Sequence, residues 1–295
     1  MHAIKPFVVM DGHIYFVDRY AAPQSIHLHR VLRVLVEETS RYQHIQIFET
    51  EKHGRVLVLD GFPQISESDG WLYTEAMVLP ALLAHPNPAR VLILGGGDGA
   101  AFSFVTRDKR VKSVTLVDLD MRVVELTQEH IPSLWENVRE NYGGPARYCY
   151  EDALEFLKKM EPPYDIIISD ITDPNESESA AHLLGPDFFV GITARLAPEG
   201  ILAMQSGEKS PGTKTAHDGF LALVAKHFAH RRTGSVHIPW FSADWSFTCA
   251  RNCYPLPDFT DPSAMKTRLD AHPHLASKLR GLSAGKLSAM FLGAN

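Results

Sequence analysis

Residues 91–99 read VLILGGGDG and residues 114–120 read VTLVDLD. A short, β-branched-rich run is stopped by three successive glycines, and a second apolar run ends in acids about 20 residues further on. This is the strand, tight turn, helix and parallel strand that open a Rossmann-like βαβ unit, a unit that binds nucleosides. Val91, Leu92, Ile93 and Leu94 predict a strand buried on both faces. Gly95, Gly96 and Gly97 let the backbone turn sharply and approach a ligand with no Cβ in the way. The loop lacks the dinucleotide pattern GxGxxG, and Asp98 stands where a phosphate loop carries neutral or basic groups. A carboxylate there suits a cationic ligand better than a pyrophosphate. Asp118 and Asp120 close the second run, where an acid can accept from ribose hydroxyls.

The rest of the chain divides around this unit. Short alternating runs between residues 14 and 65, such as HIQIF and RVLVLDG, are separated by polar or glycine turns and predict antiparallel hairpins. The expected organisation is a small antiparallel β domain over residues 1–72, a Rossmann-like catalytic domain over 73–254, and a C-terminal extension over 255–295 that is helical or partly disordered. In the middle segment, helices are expected over 74–85, 153–160, 187–196 and 217–230. Further strands are expected over 146–150, 165–169, 200–205, 232–237 and 246–250. The fold class is therefore α/β, with a mostly parallel, methyltransferase-type sheet.

Charge and cysteine usage exclude several functions. The net charge is −6, and runs of Lys or Arg stop at pairs such as Lys158 and Lys159, which weighs against a nucleic-acid surface. Cys149, Cys249 and Cys253 are too few for a disulfide framework and read as reduced thiols of a cytoplasmic protein. The first residues do not have the form of a signal peptide, and no apolar run is long enough to span a membrane. Histidines are numerous but scattered; His27 and His29 form only an HxH pair, so no metal is expected.

Acids recur where the predicted strands end: Asp98, Asp118 with Asp120, Asp152, and Asp170 with Asp173. Any one of them reads equally well as a helix cap or solvated turn residue. Repeated at successive parallel strands, they line one crevice and describe an acidic cleft for a ligand with positive charges and hydroxyls.

The chain resembles the polyamine aminopropyltransferases, the spermidine, spermine and thermospermine synthases. The resemblance rests on SRYQHIQIFET, GRVLVLDGFPQ, the DxxxYxE of Asp69, Tyr73 and Glu75, HPNPARVLILGGGDGA, LVDLD, EDALEFL, YDIIISDITDP, EGILAMQSGE and HIPWFSADW. By these motifs the thermospermine synthase branch is the most similar. The resemblance implies transfer of an aminopropyl group from decarboxylated S-adenosylmethionine to an amine, with release of methylthioadenosine, by a cytoplasmic homodimer or homotetramer. No cofactor is implied beyond that co-substrate.

Carried over residue by residue, it implies that Gln43, Asp98, Asp118, Asp152 and Ala153 hold the donor, beside Gly95 and Gly97 of the loop. Asp98 would take the aminopropyl ammonium, Asp118 the ribose hydroxyls and Asp152 the adenine amino group. Asp170 matches the catalytic acid, and Tyr73 would orient the attacking nitrogen. Tyr73, Asp173 and Gln205 would border the acceptor, with Trp240 and Phe241 as further pocket residues.

The departures fall on the acceptor side. Phe241 stands where relatives carry a tyrosine, and NESESAAHLL, with Glu176 and Glu178, replaces a glycine- and proline-rich gate. Gly70 and Thr74 also depart from the pattern around Tyr73. Two other readings remain on the same fold: a methyltransferase or other alkyl transferase using an S-adenosyl donor, and a non-catalytic nucleoside-binding protein. The second has no need of a base such as Asp170.

Overall fold

A computed structural model describes residues 7–18, 26–136, 146–171, 183, 185–209 and 216–292. Six antiparallel strands come first: β1 (Phe7–Met10), β2 (His13–Asp18), β3 (His27–Thr39), β4 (His44–Thr50), β5 (Gly54–Leu59) and β6 (Phe62–Ser66), paired in chain order as a meander. Tight turns at positive φ, at Asp11–Gly12 and Asp60–Gly61, join successive strands. The middle of this sheet is buried on both faces. Phe16, Phe48 and Val56 join the main core, while Ile45, Ile47 and Leu57 pack on the opposite side against Val123 and Leu126.

The second sheet has seven strands: β7 (Arg90–Gly95), β8 (Ser113–Asp118), β9 (Ala146–Tyr150), β10 (Tyr164–Asp170), β11 (Leu196–Glu208), β12 (His230–Ile238) and β13 (Ala243–Arg251). Their spatial order is β12-β13-β11-β10-β7-β8-β9. β9, β8, β7, β10 and β11 run parallel, and β13 is antiparallel to both of its neighbours. The small antiparallel sheet followed by a mostly parallel Rossmann-like sheet agrees with the predicted class. Helices α1 (Gly70–Ala84), α2 (Ala100–Val105), α3 (Met121–His130), α4 (Ala153–Leu157), α5 (Pro186–Arg195) and α6 (Ala216–His227) cover its faces. Val91 and Ile93 join the core on one face and Leu92 and Leu94 the other, as a strand buried on both sides requires.

Two expectations change here. The helix predicted over 74–85 begins a turn earlier, at Gly70, which puts Tyr73 within it. The tail, expected to be helical or partly disordered, is helical among the described residues and joins the core rather than standing apart as an extension. Helices α7 (Pro262–Asp270), α8 (Pro273–Ala276) and α9 (Ala284–Phe291) bury Met265, Leu275 and Leu287 completely in the main core. The buried Glu75 carboxylate accepts backbone N–H bonds from Arg280 (2.5 Å) and Leu282 (3.0 Å), holding that tail against α1. The buried residues of the tail stand at helical spacing, Met265 with Leu269 and Leu287 with Met290 and Phe291, but the core they join lies elsewhere in the chain. Among the described residues no helix is long and apolar enough to cross a membrane.

Candidate active site

A cleft of about 1100 Å³, counting its open mouth, lies over the carboxyl ends of β7, β8 and β10, with the first sheet forming its other wall. Parallel strands place it there: β7 and β10 diverge to flanking strands on opposite sides, which opens a crevice at their carboxyl ends. Of the sequence-predicted site residues, Gln43, Tyr73, Gly95, Gly97, Asp98, Asp118, Asp152, Ala153, Asp170, Gln205 and Phe241 all line it. Asp173 lies outside the described residues, as do Glu176 and Glu178.

The glycine loop is shaped chiefly by its protein neighbours. Gly95 has φ +76°, and a Cβ there would sit 2.3 Å from the backbone oxygen of Asp170. At Gly97 a Cβ would sit 2.6 Å from Asp118 Oδ2, the oxygen that accepts the Gly97 N–H at 2.9 Å. Close approach to a ligand was the expected reason for these glycines. Close approach to the two acids of the neighbouring strands is the reason the fold displays.

The acids divide their work. Asp118 accepts the N–H groups of Gly97 and Asp120, both at 2.9 Å, and faces the cleft. Asp120, which closes the same run, is 3% exposed and does not line the cleft. It caps α3 through the Arg122 N–H and takes hydrogen bonds from the first sheet. Asp98 accepts the Ala100 N–H at 2.7 Å, and Asp152 caps α4 through the Glu155 N–H at 3.0 Å. Asp170 accepts the Tyr73 hydroxyl at 2.8 Å.

Burial pushes Asp98 and Asp118 up to about 6. Asp170 rises to about 7, first because it is removed from water and then because Asp98 and Asp118 repel a further negative charge; the Tyr73 hydrogen bond works in the other direction. A carboxylate whose folded-state pKa is raised binds its proton more tightly when folded. Its unfavourable contribution is therefore absent in acid and develops as pH rises from about 4 through about 7. Asp170→Asn is expected to be more stable than the parent above pH 7, by about 1–3 kcal/mol after allowing for exposure to the cleft. Thermal denaturation from pH 5 to pH 8 should show that gap closing in acid; a constant gap contradicts the raised pKa.

On the far side, Gln205 spends its amide on the protein. Its Nε2 donates to the Ile171 carbonyl at 2.8 Å, and its Oε1 accepts from the Gly207 N–H and the Trp245 indole. Tyr73, Phe241 and Trp245 form an aromatic wall, with centroids 5.9 Å apart for Tyr73–Phe241 and 4.8 Å for Phe241–Trp245.

Trp240 is not part of that wall, contrary to expectation. Its ring is fully buried between His29 and His53, at 4.5 and 5.1 Å, and the backbone N–H of Trp240 donates to Asp69 Oδ2 at 2.8 Å. The tight turn closed by Ser242, at φ +52°, sends neighbouring side chains to opposite sides. Thus Phe241 reaches the cleft and Trp240 the core.

Sequence reasoning assigned no role to Gln64, Leu57, Leu119 or Glu151, which also line the cleft. The only signal for Gln64 was its place in GRVLVLDGFPQ. Among the described residues no cluster of His, Cys, Asp and Glu has the arrangement of a metal site.

An acidic cleft for a cationic nucleoside on a methyltransferase-type sheet is the class of site these features define. The spermine/spermidine synthase domain family matches residues 71–257, and the spermidine synthase tetramerisation domain family matches residues 14–67. A polyamine aminopropyltransferase of Aeropyrum pernix is 32% identical over 264 residues, covering 89% of this chain and 81% of its own length. Another, of Pyrobaculum aerophilum, is 35% identical over 235 residues and covers 79% of each chain. A crystal structure of spermidine synthase in complex with the transition-state analogue AdoDATO superposes with a TM-score of 0.80 at 24% identity, covering 99% of this chain and 94% of that one. The chain belongs to the spermine/spermidine synthase family, an enzyme family of aminopropyltransferases.

Proposed function

We propose that this enzyme moves the aminopropyl group of decarboxylated S-adenosylmethionine to a polyamine acceptor, putrescine, spermidine or a related amine, and releases methylthioadenosine. The observation that carries this reading is the convergence of Asp98, Asp118 and Asp170 in one cleft, with Tyr73 on Asp170. Burial raises all three carboxyls, and the charge of Asp98 adds to the rise at Asp118 and Asp170; such a cluster welcomes cations and repels a carboxylate. That favours the decarboxylated donor over S-adenosylmethionine itself, and an aminopropyl over a methyl transfer.

In the chemistry, a sulfonium is already a good leaving group, so the protein's task is alignment and deprotonation. The amine lone pair attacks the methylene next to sulfur, the C–S bond breaks as the C–N bond forms, and sulfur keeps the electron pair. A primary amine near pKa 10 arrives as an ammonium, so one proton must leave before attack. Asp170 takes it, directly or through water, and Tyr73 holds the carboxylate in place. Asp98 holds the donor ammonium, Asp118 the ribose and Asp152 the adenine edge, and the wall of Phe241 and Trp245 receives the acceptor chain. The first sheet supports self-association as a dimer or tetramer, because Val9, Ile14, Leu28 and Leu32 lie exposed on its β1–β3 side.

Calorimetric titration with the decarboxylated donor, S-adenosylmethionine and methylthioadenosine, followed by mass spectrometry after incubation with putrescine or spermidine, tests the reading. A mass gain of one aminopropyl group is expected. Preference for S-adenosylmethionine, or binding without transfer, overturns it. Asp98→Asn is expected to weaken the decarboxylated donor about 10- to 100-fold, the range for losing a charge-assisted hydrogen bond, while methylthioadenosine, which lacks the ammonium, changes little. Equal loss for both ligands removes Asp98 from the ammonium.

A further inference from the structure

Asp120 joins the two walls of the cleft at one buried carboxylate. Its backbone N–H donates to Asp118 Oδ1 at 2.9 Å, so it holds the acid that faces the cleft from β8. Its side chain reaches the β3–β4 turn of the first sheet. Oδ2 accepts the Ser40 hydroxyl at 2.6 Å and the Gln43 amide nitrogen at 3.0 Å, while Oδ1 accepts the Arg122 N–H at 3.0 Å. The Gln43 amide turns its nitrogen to Oδ2; flipped, it would set its oxygen against that acceptor. Gln43 and Asp118 both line the cleft, and Gln43 Oε1 accepts no hydrogen bond from the described residues.

We infer that Asp120 is a positioning residue that sets Gln43 and Asp118 as a pair reading the sugar hydroxyls of the nucleoside. Asp118, already holding two backbone N–H groups, keeps lone pairs for the hydroxyls. The orientation of the Gln43 amide decides whether its carbonyl oxygen adds a third acceptor. The inference rests on the nucleoside-binding part of the function proposed above. It extends that reading by making discrimination between ribose and deoxyribose depend on a residue that does not line the cleft.

The test is calorimetric binding of methylthioadenosine and its 2′-deoxy and 3′-deoxy analogues to the parent, Asp120→Asn and Ser40→Ala. In Asp120→Asn the side-chain oxygen can still cap α3, but a donor replaces the acceptor facing Gln43, so the amide loses its fixed sense. The ratio of ribose to deoxyribose affinity is expected to fall about 10-fold in Asp120→Asn, the size of one lost hydrogen bond, and to hold in Ser40→Ala. Equal weakening of all three ligands, with a lowered melting temperature, assigns Asp120 a structural role only and overturns the inference; so does an unchanged ratio. Parent protein that binds none of the three overturns the nucleoside reading instead. A second control uses Gln43→Leu, in which Asp120→Asn is expected to cause no further loss of discrimination; a further loss there shows that Asp120 acts without Gln43.

Discussion

Asp170→Asn is expected to lower kcat by about 10³-fold or more, at the upper end of what a positioned general base contributes, while the donor Kd changes less than about threefold. Asparagine keeps an oxygen for the Tyr73 hydroxyl, which now stands 2.8 Å from Oδ1, so the geometry of the wall survives. What is lost is the ability to take a proton from the incoming ammonium. Single-turnover mass spectrometry together with donor titration separates the two effects. Near-parent turnover assigns deprotonation to another group, and equal loss of binding and turnover makes Asp170 a binding residue. In the parent, kcat/KM should fall as pH drops below about 7, where Asp170 takes up its proton, and Asp170→Asn should lose that limb.

Gly95→Ala is expected to have the largest structural effect. Two penalties combine: φ +76° is disfavoured for any residue with a Cβ, and the new methyl would meet the Asp170 backbone oxygen at 2.3 Å, well inside contact distance. The clash cannot be relieved by rotating a side chain, because β7 and β10 are paired there, with Asp170 opposite Gly95. A loss of about 3 kcal/mol or more, read by chemical denaturation, is expected together with loss of turnover. Gly219→Ala is the comparison. A Cβ there meets nothing within 4 Å, so the change should cost no stability. A Gly95→Ala protein with parental stability and activity means that the loop can shift as a unit.

Both predictions depend on the junction of β7 and β10, and the two strands were not equally legible. Residues 91–94 announced a buried strand by composition, and the glycines announced its end. That Asp170 would be the residue paired with Gly95 was beyond the sequence, because pairing of strands some 75 residues apart is set by the packing of the helices between them. Asp118 and Asp120 make the point more sharply. Two residues apart at a strand end, either can accept from ribose by residue type, and only the family resemblance singled out Asp118. Chain direction past the end of β8 sends one into the cleft and the other to Ser40 and Gln43 on another sheet. A similar division separates Trp240 from Phe241, adjacent in sequence and opposite in space.

The sequence by itself determined the class of fold, the strand that opens it, the cluster of acids at the strand ends and the family resemblance. Those features are local or are carried by residue type: hydrophobic runs, glycines where the backbone must turn, and carboxylates where parallel strands end. The tertiary structure alone decided that Asp120 turns to Ser40 and Gln43, which ring walls the acceptor side, that Gln205 spends its amide on Ile171 and Trp245, and that the C-terminal tail is core. These depend on contacts between residues far apart in the chain. Burial and hydrogen-bond partners there are fixed by how helices and sheets meet, and periodicity within one segment carries no record of that meeting.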